Sequence, residues 1–291
     1  MEPFQINATL AAIGYAVAAV FAKQALSRGA GILRFSFAVN LVFVPIFATL
    51  LLKHEGTIPW SSIHQPILTG ALFFNGQLFT FAAIRIGDVS LQTPMMGTKA
   101  VFAVLIAVVC GTEAVGLPMF MAAFVAMLGV GFLGISGNGT ERVGISITLA
   151  GLSSLFFAGS DTMVGFYADN FGVSVFLFIA ILTNAVLSFA MIPYFREPLR
   201  TIPKAAWPWI MAGCLLMGLQ ALLLNYTLGH YQHVAEINVL YSTRGMWSVI
   251  FGALAVRLFQ RSSGGNHRRI YILRFLGALL MCLAIAILFN F

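Results

Sequence analysis

Two basic residues, Lys99 and Arg244, lie near the middle of long apolar stretches, at matching places in two similar halves of the chain. A cation at the centre of a bilayer costs roughly 3 kcal/mol on insertion scales, so such a residue needs a partner or a task. Two desolvated cations repel each other, and they bind a carboxylate or phosphate between them strongly. The pair therefore predicts a binding site for an anionic group.

Asp161 offers a second interpretation of these cations. It lies in the sixth apolar stretch, and its counterpart in the first half lies near Lys23. Asp161 and Lys23 predict a bridge that changes partners as the halves move, and a membrane carboxylate can also carry a coupling proton. The alternative is a static ion pair of Asp161 with Lys23 or Lys99. One acid cannot neutralise Lys23, Lys99 and Arg244 together, which favours a substrate role for the surplus charge.

Polar and aromatic residues on the same stretches extend the candidate site. Tyr241 lies about one turn before Arg244, so the two side chains can grip one carboxylate, and Trp247 follows at a spacing that closes the pocket. Buried amides in membrane helices also bond neighbouring helices, which is the alternative for each amide. The expected lining residues are Tyr15, Asn40, Asn75, Gln77, Gln92, Gln220, Asn225, Tyr226, Asn238, Tyr241 and Trp247.

Pro94 lies five residues before Lys99 within the same apolar stretch. A proline inside a helix frees a backbone carbonyl and kinks the chain. In transport proteins such breaks mark a binding site or a hinge, so Pro94 is the predicted hinge. A packing kink without motion is the alternative.

The composition requires a bilayer. The 291 residues are 60% hydrophobic and only 9% charged, and the mean hydropathy is +0.94. Apolar runs of about 20 residues, the length that crosses the hydrocarbon core, recur along the whole chain. The predicted spans are 4–26, 31–52, 64–84, 89–111, 116–136, 144–167, 172–195, 206–228, 234–258 and 270–290. We therefore expect an all-α membrane protein with ten transmembrane helices.

The net charge of +7 is distributed as a topology signal and does not indicate nucleic-acid binding. Twelve basic residues flank the odd-numbered connections between the spans, whereas the even-numbered connections carry only Lys53. This bias predicts that the odd-numbered loops are cytoplasmic and that both termini lie outside. The flanking residues are Arg28, Arg34, Arg85, Arg142, Arg196, Arg200, Lys204, Arg257, Arg261, Arg268, Arg269 and Arg274. The run from Arg257 to Arg274 is alternatively a site for anionic lipid headgroups.

The two halves resemble each other in sequence. Gly70-Ala71-Leu72 with Gln77 aligns with Gly213-Cys214-Leu215 with Gln220, Thr98-Lys99 aligns with Thr243-Arg244, and Leu10-Ala11-Ala12-Ile13 resembles Leu149-Ala150-Gly151-Leu152. Five helices duplicated would place the second copy in the opposite sense, because five is odd. Residues 1–138 and 139–291 are therefore the two expected inverted repeats, around a central cavity with its binding site near the bilayer midplane.

Three features of the sequence belong together: ten predicted helices as five plus five, the turn Cys110-Gly111-Thr112-Glu113 and the glycine-rich segment 128–134. In these features the chain resembles the EamA-like members of the drug/metabolite transporter superfamily. The resemblance covers essentially the whole chain, although 258–261 lacks the second glutamate turn. It implies secondary transport of a small organic metabolite by alternating access, in a multi-pass protein of the bacterial inner membrane. It also implies cytoplasmic termini, against the charge bias. The alternative within the class is an exporter of cationic or zwitterionic compounds that depends on Asp161.

Catalytic chemistry has poor candidates. The string Gly134-Ile135-Ser136-Gly137 resembles an intramembrane serine protease motif, but Ser136 lies at a segment end and no histidine lies in the middle of a span. We therefore expect no enzyme, no cofactor and no metal, with the lipid bilayer and a small molecule as partners. A lipid scramblase or a membrane-embedded enzyme is the alternative of another class.

The glycines at 129, 131 and 134 are expected to serve helix packing, or alternatively a homodimer face.

Overall fold

The computed structural model of the chain describes residues 2–53, 58–86, 97–110, 116–134, 143–259 and 268–290. Regular structure within these ranges is helical throughout, without a β-strand. The α-helices are α1 (Pro3–Ser27), α2 (Ile32–Ala48), α3 (His64–Ile86), α4 (Thr98–Cys110), α5 (Leu117–Gly134), α6 (Val143–Phe171), α7 (Val173–Ser188), α8 (Trp207–Tyr231), α9 (Val234–Ser242), α10 (Arg244–Phe259) and α11 (Arg268–Asn290). The prediction of an all-α fold is confirmed for this part of the chain.

Six helical segments in the described ranges are long and apolar enough to cross a membrane. They are Pro3–Ser27, Ile32–Leu52, Trp60–Ala83, Gly144–Phe171, Val173–Tyr194 and Lys204–Tyr231. The surface also exposes large apolar side chains, among them Leu52, Val109 and Leu117. Such a surface suits lipid better than water. The helices therefore have the properties of a membrane-embedded protein.

The helices pack as a bundle in which early and late segments of the chain alternate. Helix α1 lies mainly against α8 and α10, and α3 lies mainly against α6 and α7. Helix α4 contacts α6, α5 and α9, while α5 packs along α11. Each half of the chain therefore buries its apolar surface largely against the other half.

Two glycines set the tight turns that precede α2 and α7. Gly31 has φ 74° and Gly172 has φ 93°, and each residue is the N-cap of the helix that follows. Glycine adopts positive φ without the steric cost that a Cβ would add. These turns allow α1 and α2, and likewise α6 and α7, to reverse direction within a few residues.

A ladder of three serines joins α6 to α3. Each hydroxyl donates to a backbone carbonyl on the opposite helix: Ser146 to Ala83 (3.1 Å), Ser153 to Gly76 (2.8 Å) and Ser160 to Thr69 (3.2 Å). The donors advance by seven residues along α6 while the acceptors retreat by seven along α3, so the helices are antiparallel. Small polar residues let helix backbones approach closely in a membrane and bond across the interface. We call Ser146, Ser153 and Ser160 the serine ladder.

Helix α3 also approaches the backbone of α7. A Cβ added at Gly70 would overlap the carbonyl oxygen of Ala180 and crowd Thr183. Glycine is therefore required at this crossing, because a carbonyl in a helix cannot move aside as the end of a flexible side chain can.

Candidate functional site

The two cations of the sequence prediction both lie at the start of a helix. The expected continuous span 234–258 consists of two helices, because α9 ends at Ser242 and α10 begins at Arg244. The Thr243 hydroxyl donates to the Leu240 carbonyl at 2.7 Å, a bond that competes with the helix ladder. Lys99 is the second residue of α4 as described. The first N–H groups of a helix lack partners within it and favour negative charge.

Lys99 forms an ion pair with Asp161 of α6. Its Nζ lies 2.6 Å from Asp161 Oδ2, and the two residues are 6% and 4% exposed. The same Nζ lies 5.5 Å from the centroid of the Tyr241 ring. A buried carboxylate is costly unless it is paired, so Asp161 is committed to Lys99 in this conformation.

Arg244 lies between two tyrosine rings. Its Cζ is 4.4 Å from the centroid of Tyr241 and 4.9 Å from that of Tyr15. The two rings are 6.2 Å apart and cross at 78°. The ring faces attract the guanidinium electrostatically. Among the described residues, no carboxylate lies within 4.0 Å of Arg244.

Tyr241 joins the two cations into one site. Its ring lies near both Lys99 and Arg244, which places their charged groups no more than about 10 Å apart, a separation at which like charges repel in a low-dielectric interior. The nearby carboxylate is that of Asp161, already paired with Lys99. Two cations against one acid leave the described part of the site with a surplus positive charge, carried by Arg244.

Gln220 holds Tyr241 in place. The Tyr241 hydroxyl donates to Gln220 Oε1 at 3.0 Å, and Gln220 Nε2 donates to the Met217 carbonyl at 3.1 Å. A Cβ added at Gly14 would lie 3.0 Å from the Gln220 Cβ, so α1 packs directly over this amide. Gln220 therefore reaches the site through Tyr241, and its side chain is fixed on both sides.

Other predicted site residues lie apart from this cluster or bond locally. Gln77 exchanges two hydrogen bonds of 2.9 Å with Asn40. Asn225 donates to the Ala221 carbonyl of its own helix at 2.8 Å. The Trp247 ring lies 6.3 Å from Phe251, one turn further along α10. Gln77 and Gln220 occupy matching sequence positions, but only Gln220 bonds to Tyr241.

The ion pair of Asp161 is the one predicted as the static alternative to a partner exchange with Lys23, and the exchange itself stays a prediction. Asp161 pairs with Lys99, whereas Lys23 is exposed on α1 and forms no ion pair with Asp161 in this conformation. Burial explains the choice, because Lys99 lies inside the bundle beside Asp161 while Lys23 faces outward. The predicted hinge, Pro94, lies outside the described residues.

Arg34 has a structural role that the sequence prediction assigned only to topology. It is 8% exposed, and its guanidinium donates to the Gly29 carbonyl at 2.7 Å, the Pro198 carbonyl at 3.2 Å and Thr201 Oγ1 at 3.0 Å. Glu197 Oε2 lies 3.4 Å away. Arg34 therefore joins the α1–α2 turn to the α7–α8 connection. In the sequence, the feature that indicates this role is the position of Arg34 at the start of a helix, directly after a glycine turn.

In the described part of the chain, no group of three or more His, Cys, Asp or Glu residues is placed to hold a metal ion.

Comparison with known proteins identifies the fold alone. No protein-family model and no curated protein matches the sequence. Several solved structures are similar, among them a crystal structure of a protein with a TM-score of 0.71, over 96% of this chain and 95% of that chain, at 15% sequence identity. The fold of this chain therefore occurs in a known structure.

Proposed function

We propose that this protein is a secondary transporter that moves a small anionic or carboxylate-bearing organic metabolite across the membrane by alternating access. The observation that carries the proposal is Arg244, which lies on the rings of Tyr15 and Tyr241 with no carboxylate beside it in the described residues. Lys99, nearby, is paired with Asp161. A planar guanidinium offers paired donors to a carboxylate or phosphate, so Arg244 is the primary anion ligand.

The helix contacts support the proposed architecture of ten spans in two inverted five-helix repeats, residues 1–138 and 139–291. On that scheme α1 corresponds to α6, and α3 to α8. The contact of α1 with α8 then has its counterpart in the contact of α6 with α3, and that of α1 with α10 in that of α6 with α4. Gly31 and Gly172 occupy corresponding turns with similar φ values. Inverted repeats place a substrate site where the two copies meet.

The interruption at Thr243 supports an anion site at this meeting point. Broken helices in transporters direct the positive ends of half-helices at anionic substrate groups. Arg244 is the first residue of α10, at the end of a helix where the first N–H groups favour negative charge. Helix dipole and side-chain charge therefore favour the same sign of ligand.

Membership of the EamA-like drug/metabolite transporters and residence in a bacterial inner membrane belong to the same proposal. The distribution of basic residues supports cytoplasmic odd-numbered connections and extracytoplasmic termini. Alkaline phosphatase fused after Phe291 should then be active outside the cytoplasm. An inactive fusion, together with an active reporter that requires the cytoplasm, would reverse the orientation.

Export of a cationic or zwitterionic compound through Asp161 is the alternative within the class. A cation would have to displace Lys99 from a contact of 2.6 Å, with the charge of Arg244 nearby. The repulsion makes this function less well supported than anion transport. No described feature favours a lipid scramblase or an embedded enzyme.

A thermal-shift screen of the purified protein against carboxylates, phosphate esters and organic cations tests the proposal. Anions should raise the melting temperature of the wild type, and the Arg244→Gln variant should lose at least ten-fold in affinity for them. Lys204→Gln removes an exposed cation and is the matched control. Stabilisation by cations alone, lost in Asp161→Asn and retained in Arg244→Gln, would establish the alternative instead.

A further inference from the structure

Asn238 carries a buried acceptor without a partner beside the proposed anion site. The residue is 2% exposed. Its Nδ2 donates to the Val234 carbonyl at 3.0 Å, whereas its Oδ1 has no hydrogen-bond partner among the described residues. A buried acceptor left unpaired costs about 1–3 kcal/mol. Such an acceptor next to a proposed binding site is a candidate contact for the ligand.

The helix contacts place Asn238 on the side of α9 that faces α6. Val234 packs against Gly165, since a Cβ added at Gly165 would overlap the Val234 side chain. Tyr241, seven residues after Val234, lies near Lys99, which is paired with Asp161. Residues 234, 238 and 241 share one face of a helix. Asn238 therefore lies between the Gly165 contact and the cation cluster.

Val234 lies at Gly165 and Tyr241 lies near the Lys99–Asp161 pair, so α9 runs antiparallel to α6 and Asn238 comes near the level of Asp161. Asp161 precedes Gly165 by four residues, or one turn, as Asn238 follows Val234 by four. The two helices therefore bring the Asn238 amide and the Asp161 carboxylate to neighbouring turns.

We propose that Asn238 is a specificity-determining residue, whose Oδ1 accepts a hydrogen bond from a hydroxyl or ammonium group that the substrate carries next to its anionic group. The inference rests on the proposed function and narrows its substrate class to hydroxy- or amino-substituted anions. Arg244 binds the anionic group, and Asn238 discriminates against the analogue in which hydrogen replaces the donor. A site with a buried polar group rejects a ligand that leaves that group unpaired.

Two ligand series of constant carbon skeleton test the proposal with the purified full-length protein. They are succinate, malate and aspartate, and propionate, lactate and alanine. The wild type should bind the hydroxy or amino member of a series at least about 10-fold more tightly than the unsubstituted member, by titration calorimetry. Comparison of the hydroxy member with the amino member of each series shows whether the donor to Asn238 is a hydroxyl or an ammonium group.

Asn238→Leu retains the branched shape of the side chain and removes the acceptor. It should lower the preference for the donor-bearing member to less than about two-fold while the affinity for the unsubstituted anion remains. Asn238→Ala, without added bulk, should give the same loss of preference. Asn184→Leu is the matched control, because Asn184 of α7 is also fully buried and neither its Nδ2 nor its Oδ1 has a partner in the described residues. This control should leave the preference intact.

The outcomes separate this inference from the proposed function. Binding of the anions that depends on Arg244, but without preference for a donor or with the preference retained in both Asn238 variants, overturns the role of Asn238 alone. If other carboxylates or phosphate esters bind through Arg244 but none of the six ligands does, the inference alone fails. If no carboxylate or phosphate ester binds, or if binding is unchanged in Arg244→Gln, the proposed function and the inference both fail.

Discussion

Lys99 Nζ and Asp161 Oδ2 form a 2.6 Å ion pair inside the bundle. The pair fixes the charge balance of the site, because the carboxylate that could have neutralised Arg244 is held by Lys99. Arg244 is left against the faces of Tyr15 and Tyr241. The ion pair therefore occupies the acid and leaves the charge of Arg244 without a carboxylate partner among the described residues.

The Lys99–Asp161 pair should show strong coupling in a double-mutant cycle. Lys99→Met and Asp161→Leu each leave one buried charge unpaired, at a cost of about 3–5 kcal/mol. The double variant replaces both charges with apolar groups and should recover most of that loss. Thermal unfolding in detergent measures the cycle. Additive losses in the double variant would show that the two residues do not depend on each other.

The hydroxyl and the ring of Tyr241 should be separable. Tyr241→Phe keeps the ring against the cations but leaves Gln220 Oε1 without its donor, and we expect a loss of about 1–3 kcal/mol in stability with ligand affinity largely retained. Tyr241→Leu removes the ring and should weaken anion binding as well, because Arg244 loses its support. Equal anion affinity in both variants would show that the Tyr241 ring does not help to place the Arg244 guanidinium.

The serine ladder should stabilise the contact of α6 with α3. Each of Ser146→Ala, Ser153→Ala and Ser160→Ala should cost roughly 0.6 kcal/mol, and the triple variant correspondingly more. Thr148→Ala is the control, because Thr148 is exposed and its hydroxyl bonds only within α6, to the Gly144 carbonyl. A triple variant with the melting temperature of Thr148→Ala would mean that the ladder contributes nothing.

Glycine should be required at residue 70 and dispensable at residue 131. Gly70→Ala places a methyl group on the carbonyl oxygen of Ala180 and should destabilise the protein by about 1–3 kcal/mol. A Cβ at Gly131 meets nothing within 4 Å, so Gly131→Ala should be neutral or slightly stabilising. Melting temperatures of the two variants, measured side by side, decide the point. The reverse order would contradict the helix crossing seen here.

The all-helical fold was predictable because apolar runs of membrane length leave few alternatives for the backbone. Helix ends were less predictable, as the stretch 234–258 illustrates. Its composition gives one continuous apolar run, but the helix is interrupted at Thr243, where the hydroxyls of Ser242 and Thr243 bond to carbonyls of the preceding turn. Hydropathy does not record such bonds.

The charged residues of the candidate site were predictable from the sequence, but the contacts between them were not. Position within apolar runs identified Lys99, Arg244 and Asp161, because buried charges are rare. Which cation takes Asp161 depends on how α4, α6 and α9 cross, and no sequence spacing specifies those crossings. The matching amides Gln77 and Gln220 illustrate the same limit, since one bonds to Asn40 and the other to Tyr241.

Uptake of a radiolabelled anion that stabilises the wild type, measured in proteoliposomes, tests most directly whether Arg244 binds the transported anion. The wild type should accumulate or exchange the anion, and Arg244→Gln should reduce the initial rate at least ten-fold, while Lys204→Gln transports normally. Unchanged anion transport by a folded Arg244→Gln protein would contradict the assignment of this residue as the anion ligand.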